Sequence, residues 1–387
     1  MPNNWKTYKL SDALEIKYGK DHKKVQDGNI PIYGTGGIMR YGNQALYDKE
    51  TILIPRKGSL NNIYYLNEPF WSVDTIFWSK INEEVAFPKY LFYNLKVLDF
   101  ASMDVGSAIP SLTTELLKKI EIDLPSLSEQ KSIAQILSTI DDKIENNLAI
   151  NKTLEEMAMA LYKHWFVDFG PFQNGEFVDS ELGSIPKGWE VKRLGDLYDT
   201  TSGGTPSRKK MEYYDNGTIQ WIKSKELDNT FIIDTEEKIT EVALAKSSAK
   251  RFPARSVLIA MYGATVGEIA INSEISTCNQ AICAIKEVVL PYFYVYLFLK
   301  KEKENILNQA VGSAQQNISQ IIIKNLRLID PKLEDIKDLF IEFDSIFNKL
   351  ESNIKENQTL TQLRDTLLPK LISGEIRLKE FREAITN

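Results

Sequence analysis

The 387 residues include only two histidines and two cysteines. His22 and His164 are widely separated, and neither completes a Ser/His/Asp or Cys/His arrangement. Cys278 and Cys283 make no metal-ligand quartet and read as two buried thiols of a reducing compartment. No apolar run approaches the ~18–20 residues of a membrane span, and the N-terminus shows no signal-peptide pattern. The expectation is a cytoplasmic protein with no membrane contact and no metal. Phosphate cradles are missing too: Gly34–Gly37 lacks the Gly-Lys-Ser/Thr ending of a P-loop, and no strand–glycine loop–helix opening suits a dinucleotide. No Asp/Asn-Pro-Pro-Tyr/Phe methyltransferase motif is found, and no nuclease-like acidic pair followed by Glu-x-Lys stands out. Asp141–Asp142 and Glu155–Glu156 read as solvated or partner-binding helix faces. The chain is expected to be non-catalytic. It also lacks an excess of positive charge, with a formal net charge of −6. That acidity is local: residues 126–185 carry four basic and ten acidic side chains, whereas residues 1–125 carry fifteen of each. Alone, such a chain is a weak electrostatic partner for nucleic acid.

What is present is a duplication. Trp5–Leu10–Asp12 returns as Trp189–Leu194–Asp196, an offset of 184. Gly106–Ser107–Ala108 returns as Gly312–Ser313–Ala314, and Asp142–Asn147 as Asn348–Asn353, an offset of 206. The second globular half is therefore longer by 22 residues. A period near 200 is too long for a solenoid unit, so the repeat is a domain plus a helix. Residues 1–125 and 186–331 read as mixed strand and turn, with buried strands at Thr51–Ile54, Val73–Trp78, Ser256–Ala260 and Gln280–Ile285. Short helices are expected at Pro88–Leu98 and Pro291–Leu299. Residues 126–185 and 332–387 read as helical spacer, linker and tail.

Both spacers carry a heptad seam. Ile133, Leu137, Ile140, Ile144, Asn147, Asn151, Leu154, Ala158, Leu161 and Trp165 fall at 4,3 spacing. Leu339, Phe343, Ile346, Leu350, Asn353, Asn357, Leu360, Arg364, Leu367 and Leu371 match them. Each seam implies ~40 residues, or ~60 Å, of helix. Asn147, Asn151, Asn353 and Asn357 sit centrally in both. Antiparallel and in-register parallel pairing would each bring the four amides together, and a pseudo-twofold between repeats favours antiparallel. Buried asparagines weaken such a pair but penalise slipped registers. The alternative turns them to solvent and brings Leu148 and Ile354 into the seam. The expected fold class is α+β: two tandem mixed α/β domains, each followed by a long helix, with the helices paired as an antiparallel coiled coil.

Leu124-Pro125-Ser126-Leu127-Ser128-Glu129-Gln130-Lys131-Ser132-Ile133-Ala134-Gln135-Ile136-Leu137 resembles the Leu-Pro-x-x-x-x-Glu-Gln-x-x-Ile-Ala-x-x-Leu signature of type I restriction–modification specificity subunits. Ser184–Trp189, Ser202–Ser207, Ile219–Lys223 and Leu367–Ile376 are similar to further segments of that family. The second helix start, Asp330–Ile336, lacks the Glu-Gln pair. The resemblance implies a non-catalytic reader of double-stranded DNA, with two target recognition domains reading the halves of a bipartite asymmetric site. It implies partners as well: two modification subunits that bind S-adenosylmethionine and methylate adenine, and restriction motor/nuclease subunits that use ATP and Mg. No cofactor is expected on this chain. A two-headed coiled-coil scaffold for protein or glycan ligands is the alternative from another class.

Direct base readout needs side chains offering paired donors or acceptors, and phosphate contacts need small or basic loop residues. In the first half these are Tyr33, Gly36, Arg40 and Tyr41 in one loop, then Arg56, Lys57, Ser59 and Asn61, then Ser107, Ser111 and Thr113. In the second half they are Thr205, Ser207, Arg208 and Lys209, then Lys223 and Ser224, then Tyr262 and Thr265, then Gln315, Gln316 and Asn317. Arg56–Lys57 against Met261–Tyr262, and Ile109–Pro110 against Gln315–Gln316, differ chemically at matching positions, which predicts two unlike half-sites.

Overall fold

A computed structural model describes residues 4–104, 109–309 and 317–378. The chain divides into two compact units, 1–144 with 359–387, and 145–358.

In the first unit an antiparallel four-stranded sheet has the order Leu14–Tyr18, Ile76–Ile81, Thr51–Pro55, Tyr64–Leu66. A three-stranded sheet sets Ile30–Gly34 between Gly37–Gly42, antiparallel, and Trp71–Ser72, parallel. Thr51–Pro55 is buried throughout, so its apolar run reads as a central strand. The helix Pro88–Lys96 begins with proline at its first turn, where a missing N–H costs nothing. Its buried face packs with Trp5, Ile52 and Phe77 into one core.

The second unit repeats that plan. Tyr198–Ser202, Ile282–Glu287, Val257–Ala260 and Ile269–Asn272 follow the same order, and Phe231–Ile232 adds a fifth, parallel strand. Ile219–Ile222 lies between Lys238–Ile239, antiparallel, and Ser276–Cys278, parallel. The offset grows from 184 at Tyr198 to 206 at Val257, so all 22 extra residues enter between these strands. They include the helix Glu241–Lys246 and the added strand. The short helix expected at Pro291–Leu299 runs further, over Tyr292–Asn308.

Two forty-residue helices, Leu127–Phe166 and Leu333–Ile372, follow the two globular halves. In the first unit the start of one packs on the end of the other, with Ile133, Leu137 and Ile140 beside Leu367 and Leu371 in the same core. In the second unit Ala158 and Tyr162 share a core with Leu339, Phe343 and Ile346. The helices are antiparallel in both units, and each globular core is closed by helix side chains. Gln130 of the Glu-Gln pair is 1 % exposed. It accepts from Phe87 N at 2.8 Å and donates to Val85 O and Pro125 O at 3.0 Å, locking a loop to the helix start. Ile336 takes the matching place in the second copy as a fully buried apolar residue, so the missing pair is a polar lock replaced by packing.

The four central asparagines lie at the seam. Asn147 Nδ2 donates to Asn357 Oδ1 at 2.9 Å and to Glu356 Oε2 at 2.8 Å. Asn353 Nδ2 donates to Asn151 Oδ1 at 2.8 Å. Asn147, Asn151 and Asn353 are buried and Leu148 is exposed, so the solvent-turned alternative does not hold. Asn353 Oδ1 is buried without a partner. An unmet acceptor in an apolar seam costs stability. Replacing Asn151 and Asn353 together by leucine should raise the unfolding free energy by about 1 kcal/mol, read as a higher denaturant midpoint at unchanged m-value. A lower midpoint would mean the amides are net stabilising.

Candidate nucleic-acid interface

The candidate loops emerge where the two sheets of each half meet, and four corresponding backbone hydrogen bonds build that rim twice, with Met261 in the place of Arg56 one residue short of the 206 offset. Lys20 N donates to Ser72 O and Gly204 N to Cys278 O, both at 2.8 Å. Val73 N donates to Tyr33 O at 3.0 Å, and Asn279 N to Ile222 O at 2.9 Å. Arg56 N donates to Thr75 O at 2.9 Å, and Met261 N to Ala281 O at 2.7 Å. Leu112 N donates to Arg56 O at 2.9 Å, and Ile318 N to Met261 O at 2.7 Å. The first pair of bonds explains a repeat at offset 184. A Cβ on Gly19 would sit 2.0 Å from Val73 O, and one on Gly203 would sit 2.1 Å from Cys278 O. Only glycine lets these backbones cross.

In the first half the rim brings together the turn at Gly36, the Arg56–Asn61 loop and the Ser111–Thr113 segment. Gly58 N donates to Pro110 O at 2.9 Å, and Asn62 Nδ2 to Thr35 O at 3.2 Å. Gly36, Lys57, Ser59 and Asn61 are exposed there. Arg56 lies 5.4 Å over the ring of Tyr18, itself 54 % exposed, and donates to Asp74 O at 3.1 Å. Asn61 ties Asp99 and Ala101 to the loop. Ser111 N donates to Asp104 Oδ1 at 2.7 Å, and Thr113 caps the helix Thr114–Lys118. Ser107 lies outside the described residues.

Two expectations need correction here. Tyr33 is 8 % exposed and packs with Leu53, Phe70 and Trp78, since its strand position turns the ring inward. Arg40 is a brace: its guanidinium donates to His22 O and Val25 O at 2.7 Å and pairs with Asp27 at 3.1 Å. What it braces is the Lys20–Asp27 loop, which displays Lys20, Lys23 and Lys24 to solvent. Those lysines follow Gly19 as Thr205–Lys209 follow Gly203, and the shared glycine was the signal that could have found them. Tyr41 is 51 % exposed on the same hairpin as exposed Ile38 and Met39.

In the second half Thr205 hydrogen-bonds Gln280, the counterpart of Asp74 and another residue the loop pattern did not single out. Ser207 and Lys209 are exposed. Arg208 sits over Tyr214 at 4.5 Å and Trp221 at 5.0 Å and pairs with Glu237. Lys223 pairs with Glu236 at 2.7 Å and Glu237 at 3.1 Å, and Lys225 with Glu236 at 2.7 Å. Ser224 opens a short turn after Lys223. Tyr262 forms an antiparallel bridge with Asn317, and Thr265 O accepts from Glu268 N at 2.9 Å. Gln315 and Gln316 lie outside the described residues. In the second rim Arg208, Lys223 and Lys225 are thus paired with two glutamates, whereas Lys20, Lys23 and Lys24 of the first rim stand exposed.

Hydrogen bonds from Lys223 and Lys225 hold the Glu236 carboxyl at about 2, well under its ordinary 4.5. Among the described residues no group of three His, Cys, Asp or Glu is placed to hold a metal ion. No described helix is long and apolar enough to cross a membrane. Burial pushes the Cys283 thiol up to about 12, and the Cys278 thiol also rises. Neither sulfur is poised as a thiolate.

Comparisons with known proteins agree with this geometry. The model of the family described as type I restriction modification DNA specificity domain matches residues 2–156 and 186–362. The chain is 29 % identical over 415 residues to the type I restriction enzyme MjaIX specificity subunit of Methanocaldococcus jannaschii, covering 98 % of this chain and 95 % of that one. It is 28 % identical over 363 residues to the HindI specificity subunit of Haemophilus influenzae, covering 76 % and 79 %. The crystal structure of a type I restriction–modification S subunit from M. genitalium has the same fold, with a TM-score of 0.64 at 17 % identity over 96 % of this chain and 97 % of that one.

Alanine at Gly19 or Gly203 should cost roughly 1–3 kcal/mol or more through forced overpacking, with the loss seen as a lower thermal midpoint. An unshifted midpoint at both positions would remove the close crossing from the account. The Glu236 ion pairs stabilise the fold fully above the ordinary glutamate range and lose that contribution as pH falls through about 2. At about pH 3.5 its carboxyl should still be ionised by carbon-13 NMR, and Lys223→Met should move the titration back upward.

Proposed function

The chain belongs to the type I restriction modification DNA specificity domain family, and on that premise we infer that each half reads one part of a bipartite, asymmetric DNA site. The observation that carries this is one backbone rim built twice and dressed with different side chains. The exposed lysine loop and Arg56–Asn61 of the first rim meet phosphate and base edges of one half-site. Thr205, Ser207, Arg208, Lys209, Lys223 and Gln280 of the second rim meet the other. Hydrogen bonds to phosphate position each domain, and paired donors on arginine, asparagine and glutamine discriminate bases.

The helix pair sets the spacer between half-sites, because its asparagines resist register slip. Its acidic outer faces, Asp142, Glu145 and Glu156 among them, are exposed and suit docking of two modification subunits. In this reading S-adenosylmethionine, ATP and Mg reside on partner subunits, and this chain contributes sequence choice without a catalytic centre of its own. Compensating phosphate attraction comes from those partners, since the second rim's cations are internally paired.

Adenine methylation mapped across the genome of a host making this chain with its modification subunit tests the reading. A single motif with two unlike halves should result. Arg56→Ala should degrade only one half of the motif, and Arg208→Ala only the other. In the assembled complex, Lys23→Ala with Lys24→Ala should weaken binding to all sequences and lower the salt slope by about 2, close to one per lost phosphate contact. A complex that forms without imposing any motif would instead favour the scaffold class.

A further inference from the structure

Two identical half-chains could pair with each other as readily as the two different halves do, if only the asparagines governed pairing. Their four positions are related by the repeat, so they look alike from either half. One facing pair is not alike. In the first unit Asp141 Oδ1 accepts from Arg364 Nη1 at 3.0 Å, and Asp141 Oδ2 accepts from Tyr93 OH at 2.6 Å. Both charged side chains are largely covered, at 16 % and 20 % exposure. The offset of 206 makes Phe347 the counterpart of Asp141 and Ala158 the counterpart of Arg364. In the second unit Ala158 and Phe347, each 1 % exposed, line one cavity between the helices and Tyr296. Phe347 there packs on Phe231, Tyr292, Phe293 and Tyr296.

We propose that Asp141 and Arg364 are a pairing code that joins the two unlike halves and rejects pairing of like halves. Two first halves would set Asp141 against Ala158 twice, leaving each shielded carboxylate with Tyr93 and the weaker field of Lys96 in place of its guanidinium partner. Two second halves would press Arg364, left with only its exposed neighbour Asp365 at 2.9 Å, against the Phe347 ring cluster twice. Only the mixed pair satisfies the charge and keeps the aromatic cluster dry. An unpaired shielded charge is among the costlier single defects a protein interface can hold. The asparagines therefore choose the register, and the ion pair chooses the partner. The proposal is independent of which DNA bases are read.

The test uses full-length protein carrying a protease site in the exposed turn at Glu181–Leu182, cleaved after folding so that both halves stay in the preparation. Differently tagged cleaved samples are mixed and allowed to exchange, and each tag is captured. Wild-type first halves should retain second halves and capture other first halves at least about tenfold less. Cleaved Asp141→Arg protein mixed with cleaved Arg364→Asp protein should exchange halves faster and further than wild type, because exchange creates Arg–Asp and Asp–Arg pairs. Asp141→Ala with Arg364→Ala should lose the discrimination while the cleaved pair still forms. Equal capture of like and unlike halves by wild type would overturn the proposal. So would charge-reversed mixtures that exchange no further than wild type, or an alanine pair that keeps full discrimination.

Discussion

Polar amides sealed inside an apolar helix seam are the constraint on which the rest of this molecule turns. Asn147 meets Asn357, and Asn151 meets Asn353, inside an interface lined largely by leucine, isoleucine and phenylalanine. Sliding one helix by a turn would leave each amide facing hydrocarbon, with its hydrogen bonds unmade and its desolvation uncompensated. That penalty matters more here than in a free-standing coiled coil. Neither globular half closes its core alone: Ile133, Leu137 and Leu371 complete one, and Tyr162, Leu339 and Phe343 complete the other. Helix register and domain packing are therefore a single choice.

The duplication has kept what backbone supplies and varied what side chains supply. Four main-chain hydrogen bonds per rim survive almost unchanged because amide geometry is indifferent to the residues that flank it. The one side-chain identity the rim demands is an absence, the missing Cβ of Gly19 and Gly203. Everything displayed beyond that frame has diverged. Asp74 stands where the other copy has Gln280, and Arg56 follows the strand where the other copy has Met261. The second copy has also taken in 22 residues between Ser202 and Val257 without disturbing the strand order on either side. A scaffold held by its main chain tolerates this kind of change, which is what reading two different sequences requires.

Much of the architecture was legible in the residues because it is periodic or repeated. Forty-residue helices and the asparagine positions follow from heptads that recur at offset 206, whereas the heptads suit either direction and only the pseudo-twofold between repeats favoured antiparallel pairing. Sheet order was not legible. Strands such as Trp71–Ser72 and Phe231–Ile232 are two residues long and carry no period of their own. At the rims, loop membership could be read, but the duty of each side chain could not. Arg40 has the composition of a base reader, yet it spends its donors on His22, Val25 and Asp27, contacts made across a turn that no local pattern announces. Tyr33 was hidden by the parity of its strand. The exposed placement of Lys23 and Lys24 on the first rim was not legible, because their equivalence to Arg208 and Lys209 runs through one glycine and not through similar residues.

The charge balance then acquires a physical meaning. Affinity for any DNA grows with each phosphate neutralised, whatever the sequence, so a freely cationic reader binds everywhere. In the second rim Arg208, Lys223 and Lys225 are held by Glu236 and Glu237, and aromatic rings under Arg208 fix its plane. Glu236, its carboxyl held low by hydrogen bonds from Lys223 and Lys225, keeps its charge beside those cations at physiological pH. A phosphate arriving there gains little, because it must displace a carboxylate already in place. A base edge that matches the preset donors gains more, since the side chains lose little further freedom on binding. Low net positive charge is thus compatible with sequence reading: it suppresses the contribution common to all DNA and leaves discrimination to the contacts that differ.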